Sequence, residues 1–309
     1  MHIVLTILPL FLVIGLGAVG ARLGLLPPAF VGPANRLAFY LAIPALLFRA
    51  LAHAPAGAAF QPLPAVITVT AMLLGWAAAL GLSRLFFPPG RSAARASWLH
   101  VTFHGNQGLM ALAVIYYALG QAGLSAGGLV IAVVIIVQNL MAVVTLTRWG
   151  SREETPSGHG AWFSFVKNPI IVSSALGLGV SLAGWPLPAF VDQTLKIMAD
   201  LGMPLALLII GATLQEKKPG GAGAWRLVPA VGLKLLVLPL VGYGLLRLAG
   251  VPHLPLTVAV ILLAAPTATL TVILADQLGG DRRQASAAVT LSHGLAMFTY
   301  TAWLWFLHA

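Results

Sequence analysis

Residues 96–119 read ASWLHVTFHGNQGLMALAVIYYAL, and residues 256–278 read LTVAVILLAAPTATLTVILADQL. Each stretch is apolar and close to the roughly 20 residues that carry a helix across a bilayer core. Each is also interrupted. His104-Gly105-Asn106-Gln107-Gly108 sets two amides between two glycines, a combination that weakens a helix. Ala265-Pro266-Thr267-Ala268-Thr269 contains a proline, which removes a backbone donor, and hydroxyls able to bond the carbonyls it frees. Backbone groups freed in hydrocarbon must be satisfied by protein, water or a ligand, so a broken helix at membrane depth is expected where it lines a cavity. The plainer alternative is that glycine and proline, common in membrane helices, merely kink them.

The composition agrees with a bilayer as the solvent. Of 309 residues 59% are hydrophobic and only 8% charged, against about 25% charged in a soluble domain. The net charge of +10 comes from 17 Lys and Arg scattered between apolar runs, without the basic, aromatic-interleaved surface of a nucleic-acid binder. No nucleic-acid partner is therefore expected. With no cysteine, a disulfide framework, thiol catalysis and Cys-ligated metal sites are excluded. Met1-His2 lacks the cationic start of a signal peptide, so the first apolar run is expected to be a retained span.

Apolar stretches bounded by Gly, Pro and charge predict ten spans, near 3–21, 34–53, 64–87, 96–119, 126–147, 165–184, 190–214, 225–249, 256–278 and 283–307. The loop from Arg148 to Gly160 divides them into two groups of five. With the N-terminus outside, the cytoplasmic side collects Arg22, Arg36, Arg84, Arg91, Arg95, Arg148, Arg152, Lys167, Lys217, Lys218, Arg226, Arg282 and Arg283. Arg49, Lys196 and Arg247 face outward and Lys234 lies within a span, so the positive-inside rule puts both termini on the outer side.

Slid against itself by 160 positions, the chain matches Pro9 with Pro169, Gly17 with Gly177, Gly24 with Gly184, and Pro28-Ala29-Phe30 with Pro188-Ala189-Phe190. Pro44 falls on Pro204, and the break at Asn106 on Pro266, in the same register. Five spans is an odd number, so the second unit, 151–309, enters the membrane from the side opposite to the first, 1–150. That is an inverted-topology repeat, a design of secondary transporters with a site near the midplane.

If the two broken helices cross, half-helix N-termini direct free N–H groups and positive dipole ends to one place, which suits a carboxylate. Gly105, Asn106, Gln107, Gly108, Pro266, Thr267 and Thr269, with Asn139 of the fifth span, form the expected substrate-binding set. Gln138 beside Asn139 could likewise serve a cavity or hold helices together. Asp200, placed near mid-bilayer in the seventh span, is the first candidate for coupling, with pairing to Lys234 as its structural alternative. Lys234 itself either couples or sends its stem to a headgroup region. His104 and His293 are further proton-carrier candidates, or packing histidines. His100 and His104, four apart, have metal-ligand spacing without further ligands, so no metal site is expected. No Gly-x-Ser-x-Gly, His-Glu-x-x-His or Walker loop is present, and no enzyme is expected.

At these residues the chain resembles the auxin efflux carrier family of bacterial and plant permeases over nearly its full length. Asn35 through Pro44 with Phe48, Gly105-Asn106-x-Gly108, Lys167-Asn168-Pro169 with Gly177, and Pro204 with Gly211-Ala212-Thr213-Leu214 carry the resemblance. Lys234 to Pro239, Ala265-Pro266-Thr267-Ala268 with Leu274-Ala275, and Asp281 through Ser286 continue it. The resemblance implies an all-α polytopic protein similar to the bile acid sodium symporter fold, with two inverted five-helix repeats and spans four and nine crossing. Spans one, two, six and seven would be a scaffold, and spans three to five and eight to ten a transport domain; a homodimer is plausible on the same basis. Asn106 and the Pro266 region would meet substrate. One departure is Ala111-Leu112-Ala113, where family members have Gly-x-Pro, so one crossover proline is missing at Ala113. The fourth span is then expected to bend at Gly105 to Gly108, or the crossing to be asymmetric.

These readings converge on a secondary active transporter of small organic anions, auxin-like or short carboxylates such as malonate, in a bacterial inner membrane. It would use no cofactor beyond a coupling ion, H+ or Na+. The competing readings are a non-transporting receptor or scaffold on the same fold and a carrier of a non-anionic solute.

Overall fold

A computed structural model of the chain describes residues 2–54, 62–90, 92–151, 169–213 and 224–308, with residues 2–7 and 224 described by their backbone only. Arg91, Arg152, Lys167, Asn168, Lys217 and Lys218, which figured in the charge asymmetry and the resemblance, lie outside the described residues, as does most of the expected loop between the repeats.

Every regular element among the described residues is helical. In chain order they are α1 (His2–Arg22), α2 (Pro28–Leu37), α3 (Ile43–Ala52), α4 (Pro62–Phe86), α5 (Ala93–Val101), α6 (Leu112–Trp149), α7 (Pro169–Ala183) and α8 (Ala189–Thr213). They continue as α9 (Leu227–Gly232), α10 (Leu238–Leu248), α11 (His253–Leu263), α12 (Leu270–Gln277) and α13 (Arg282–His308). Widened π turns at Ala38–Ala42, Gln107–Ala111 and Leu233–Val237 join several of them. Five helical runs are long and apolar enough to cross a bilayer, Pro28–Ala52, Pro62–Phe86, Gln107–Trp149, Ala189–Thr213 and Leu227–Leu248, and Leu8–Arg22, Pro169–Ala183 and His253–Leu263 are shorter apolar helices. Large apolar side chains such as Leu16, Phe190 and Leu248 stand exposed, as a lipid-facing surface requires. The chain is a polytopic all-α membrane protein.

The run ending in α6 is not one rod. Gly120 has φ 62° and ψ −154°, a conformation open to glycine and strained for other residues, so the helix turns there, between the stretches read as the fourth and fifth spans. Gly24 at φ 76° and Gly184 at φ 64° close α1 and α7 in the same way. Leu25 N–H bonds the Gly20 carbonyl and Trp185 N–H the Val180 carbonyl, the long bond of a glycine-terminated helix.

The chain divides into two compact units. The first holds residues 1–62, 108–132 and 163–217. In it α1 packs along α8, and α3 packs against α7 and α8. Small residues allow close backbone approach: a Cβ on Gly17 would collide with the backbone of Leu208, and one on Gly177 would lie 2.6 Å from the Phe48 carbonyl oxygen. Gly17 to Gly177 and Phe48 to Leu208 are both separations of 160, so one contact is made twice. At one end Asp192 accepts bonds from Arg49 Nε at 2.7 Å and Nη2 at 2.8 Å, tying α3 to α8.

The second unit holds residues 63–107, 133–162 and 218–309. Its core includes Trp98, whose indole N–H donates to the Arg226 carbonyl at 2.7 Å, with Phe87, Leu99, Leu227 and Ala288 around it. Tyr300 and Trp303 of α13 donate to the carbonyls of Ile261 and Leu235, so each buried polar tip has a partner.

Candidate functional site

Within the second unit α5 stops at Val101 and α11 stops at Leu263. The two interruptions meet. Asn106 N–H donates to the Pro266 carbonyl at 2.7 Å and Ala268 N–H to the His104 carbonyl at 3.0 Å, which pairs Gly105 with Thr267 as an isolated antiparallel bridge. Two backbone segments that left helical geometry thus satisfy one another, the condition for irregular backbone away from water.

Three backbone groups of the bridged pair are met by side chains. Gln138 grips Gly105 twice: its Oε1 accepts from Gly105 N–H at 3.2 Å and its Nε2 donates to the Gly105 carbonyl at 3.3 Å. Thr267 N–H donates to Ser292 Oγ at 3.0 Å. The Gln138 amide therefore substitutes for the two helical bonds that Gly105 has given up.

Around this frame lies a buried polar group of side chains. Asn106 Nδ2 is 3.3 Å from His293 Nε2, and His293 Nδ1 is 2.9 Å from the Val289 carbonyl. A carbonyl only accepts, so Nδ1 carries the hydrogen and the neutral ring offers Nε2 as acceptor to the Asn106 amide. Lys234, 0% exposed, donates from Nζ to the Leu263 carbonyl at 2.6 Å, placing an ammonium at the carbonyl end of α11, where the helix dipole favours a cation. Gln107 Nε2 reaches the neighbouring Leu262 carbonyl at 3.5 Å. His100 Nε2 and His104 Nδ1 are 2.6 Å apart. His100 Nδ1 and Gln107 Oε1 are buried without a hydrogen-bond partner.

The junction is therefore rich in N–H donors and holds one ammonium. Among the described residues no carboxylate pairs with Lys234; the ion pairs there join Asp192 to Arg49 and His53, Asp200 to Lys196, and Asp276 to Arg282. Such a site suits an anion.

The structure brings together His104, Gly105, Asn106, Gln107, Pro266, Thr267, Lys234 and His293. Thr269 is half-buried at the start of α12 and makes no side-chain cap bond. Gly108 belongs to the first unit, where a Cβ would lie 3.3 Å from Ile170 Cδ1. Asn139 does not reach the break: its amide donates to the Ile135 carbonyl of its own helix at 2.7 Å. Its neighbour Gln138 holds that place, because consecutive helical residues point about 100° apart.

Asp200 requires a correction. It pairs with Lys196 at 2.6 Å with both side chains about half exposed, in the first unit, instead of lying buried beside Lys234. Residues four apart stack on one helix face, so the carboxylate is neutralised locally. Lys234 does not send its stem to a headgroup region either, since its ammonium is buried on α11. Ser292 was not singled out; its signal was its place beside His293, a polar pair in an apolar span. Among the described residues no group of three or more His, Asp or Glu could hold a metal ion.

A family model described as membrane transport protein matches residues 2–304. A Rhizobium meliloti (strain 1021) protein named "Putative malonate transporter" is 26% identical over 313 residues, spanning 98% of this chain and 95% of the relative. The family description and the relative's name both point to a transporter rather than an enzyme, and the residues that carried the resemblance, Asn106 and Pro266 among them, fall inside the matched region. The chain belongs to the membrane transport protein family, that of the auxin efflux carriers.

Proposed function

We propose that this protein is a secondary active carrier of small organic anions, with short dicarboxylates of the malonate type as first candidates. The observation that carries the reading is the Lys234 ammonium, buried at the paired helix breaks and bonded to Leu263 without a carboxylate partner among the described residues. An uncompensated buried charge is costly, and an anionic substrate would supply the missing partner. In this reading the substrate carboxylate binds beside Asn106, Gln107 and Lys234, with the bridge through Pro266 and Thr267 as its floor. The malonate named for the relative supports the substrate class.

Three recurrences at a separation of 160 support two inverted five-helix repeats with crossing fourth and ninth spans. They are the glycine contacts of Gly17 and Gly177, the glycine turns at Gly24 and Gly184, and the positive-φ pair Gly90 and Gly250. In this reading the carrier works by an elevator mechanism, in which spans three to five and eight to ten move against a scaffold of spans one, two, six and seven. We place the carrier in the bacterial plasma membrane with both termini outside, and assign any homodimer contact to the scaffold.

The test is uptake of labelled malonate, and of competing mono- and dicarboxylates, by proteoliposomes of the purified protein. Saturable carboxylate uptake that is lost in Asn106→Ala and in Lys234→Gln, with both variants folded, supports the proposal. Uptake indifferent to both substitutions removes the site, and binding without flux replaces the carrier by a receptor.

A further inference from the structure

The hydrogen bond between Asn106 and His293 has a direction, and that direction depends on one proton. With Nδ1 committed to the Val289 carbonyl, a neutral His293 presents a lone pair at Nε2, and Asn106 donates to it from Nδ2. The amide oxygen then lies on the side of Asn106 turned from the ring, and a carboxylate arriving there meets an acceptor. If Nε2 takes a proton from solvent, both ring nitrogens donate. The amide must turn over so that Oδ1 accepts from Nε2–H, and its NH2 group faces the incoming carboxylate.

We propose that His293 is the proton site of the carrier and acts through Asn106, as a positioning residue that converts the amide from a carboxylate-repelling to a carboxylate-binding orientation. This rests on the organic-anion reading above. The proton and the carboxylate enter together for a second reason: a buried imidazolium without an anion is costly, and the substrate is that anion. By reciprocity, proton binding strengthens carboxylate binding as much as carboxylate strengthens proton binding.

The surroundings of α13 leave this role open to His293. The elements packed against it are α5, α9, α11, α12 and the π turn at Leu233–Val237. Their ionisable groups are otherwise engaged. Arg95 donates to Ser83, His100 and His104 face each other, Lys234 holds Leu263, His253 bonds the Leu307 carbonyl, and Asp276 pairs with Arg282. On α13 itself His308 bonds the Leu304 carbonyl, and just before it Asp281 caps Gln284. Of these side chains only His293 has a ring nitrogen on the amide at the helix break.

The experiment is calorimetric titration of the full-length protein with malonate, in two buffers of different protonation enthalpy, from about pH 5.5 to about pH 8, the range over which imidazole titrates. The wild type is expected to take up about one proton per malonate, with affinity falling about tenfold per pH unit on the alkaline side. His293→Gln should bind with no proton uptake and a flat pH profile, whereas His308→Gln, at the far end of the same helix, should keep the uptake. His293→Asn, which likewise lacks a titrating ring, should also bind without proton uptake and answers the question if His293→Gln does not fold. Proton uptake unchanged in His293→Gln, or in His293→Asn, overturns the proposal. Malonate binding by the wild type without proton uptake overturns it and leaves the carrier reading standing; a protein that binds no carboxylate at any pH refutes both.

Discussion

Asn106 and Pro266, 160 residues apart, face each other at the two helix breaks, and the Asn106 N–H donates to the Pro266 carbonyl at 2.7 Å. The reciprocal bond cannot form, because proline has no N–H. The junction is thus asymmetric in its side chains even where the two stretches occupy matching places in the chain: one contributes amides and the other hydroxyls, while each gives one backbone N–H and one carbonyl, Asn106 N–H to Pro266 and Ala268 N–H to His104. The missing proline at Ala113 does not prevent the meeting, since Gly105 and its Gln138 clamp supply the break on that side.

Gln138 is a stability determinant of the junction. Replacing it by Leu, close in size, leaves both backbone groups of Gly105 buried without partners, at about 1–3 kcal/mol each. The thermal midpoint of Gln138→Leu in detergent or nanodiscs should fall by several degrees, and Asn139→Leu, whose amide serves only its own helix, should change it little. Equal effects of the two would contradict the clamp.

Gly105→Ala probes the crowding inside the site. A Cβ there would stand 2.7 Å from Gln107 Nε2 and 3.0 Å from Lys234 Nζ. Both are the far ends of flexible side chains, so folding survives while the two donors shift on their carbonyls. We expect a loss of about 1.4 kcal/mol or more in malonate binding, tenfold in affinity, with the unfolding midpoint nearly unchanged. A variant that binds as tightly as the wild type would show that these donors do not meet the ligand.

Lys234 and Asp200 should separate cleanly. Removing a buried charge-assisted bond is worth about 1.5–3 kcal/mol, so Lys234→Met should weaken malonate binding about 10- to 100-fold. Asp200→Asn breaks only an exposed i,i+4 pair with Lys196, of the kind worth about 0–1 kcal/mol, and should leave binding and uptake near wild type. Loss of uptake in Asp200→Asn would return that carboxylate to the coupling path.

The doubled glycine contact predicts paired defects in the first unit. Gly177→Val drives a side chain into the Phe48 backbone and Gly17→Val drives one into that of Leu208. Overpacking of this kind costs about 1–3 kcal/mol. Both variants should lose stability by similar amounts, read as the thermal midpoint, whereas valine at Gly15, which has open space around it, should be tolerated.

Much of this architecture can be read along the chain. Bilayer-length apolar runs announce a polytopic protein because hydrocarbon accepts few charges and demands helices. The two breaks announce themselves because glycine, amide and proline are hard to keep in a membrane helix without a purpose. The separation of 160 is visible because the contacts of Gly17 and Gly177 tolerate no side chain. What a linear reading could not supply is direction around a helix axis and distance across helices. Nothing local tells that Gln138 faces Gly105 while Asn139 faces its own backbone, since a turn of about 100° separates them. Nor could a lone carboxylate in a span reveal that Asp200 is neutralised one turn away by Lys196, while Lys234, far along the chain, stands buried on the last carbonyl of α11. Those choices are made by packing, which decides which polar groups find partners and leaves the Lys234 ammonium among donors, without a carboxylate of its own among the described residues.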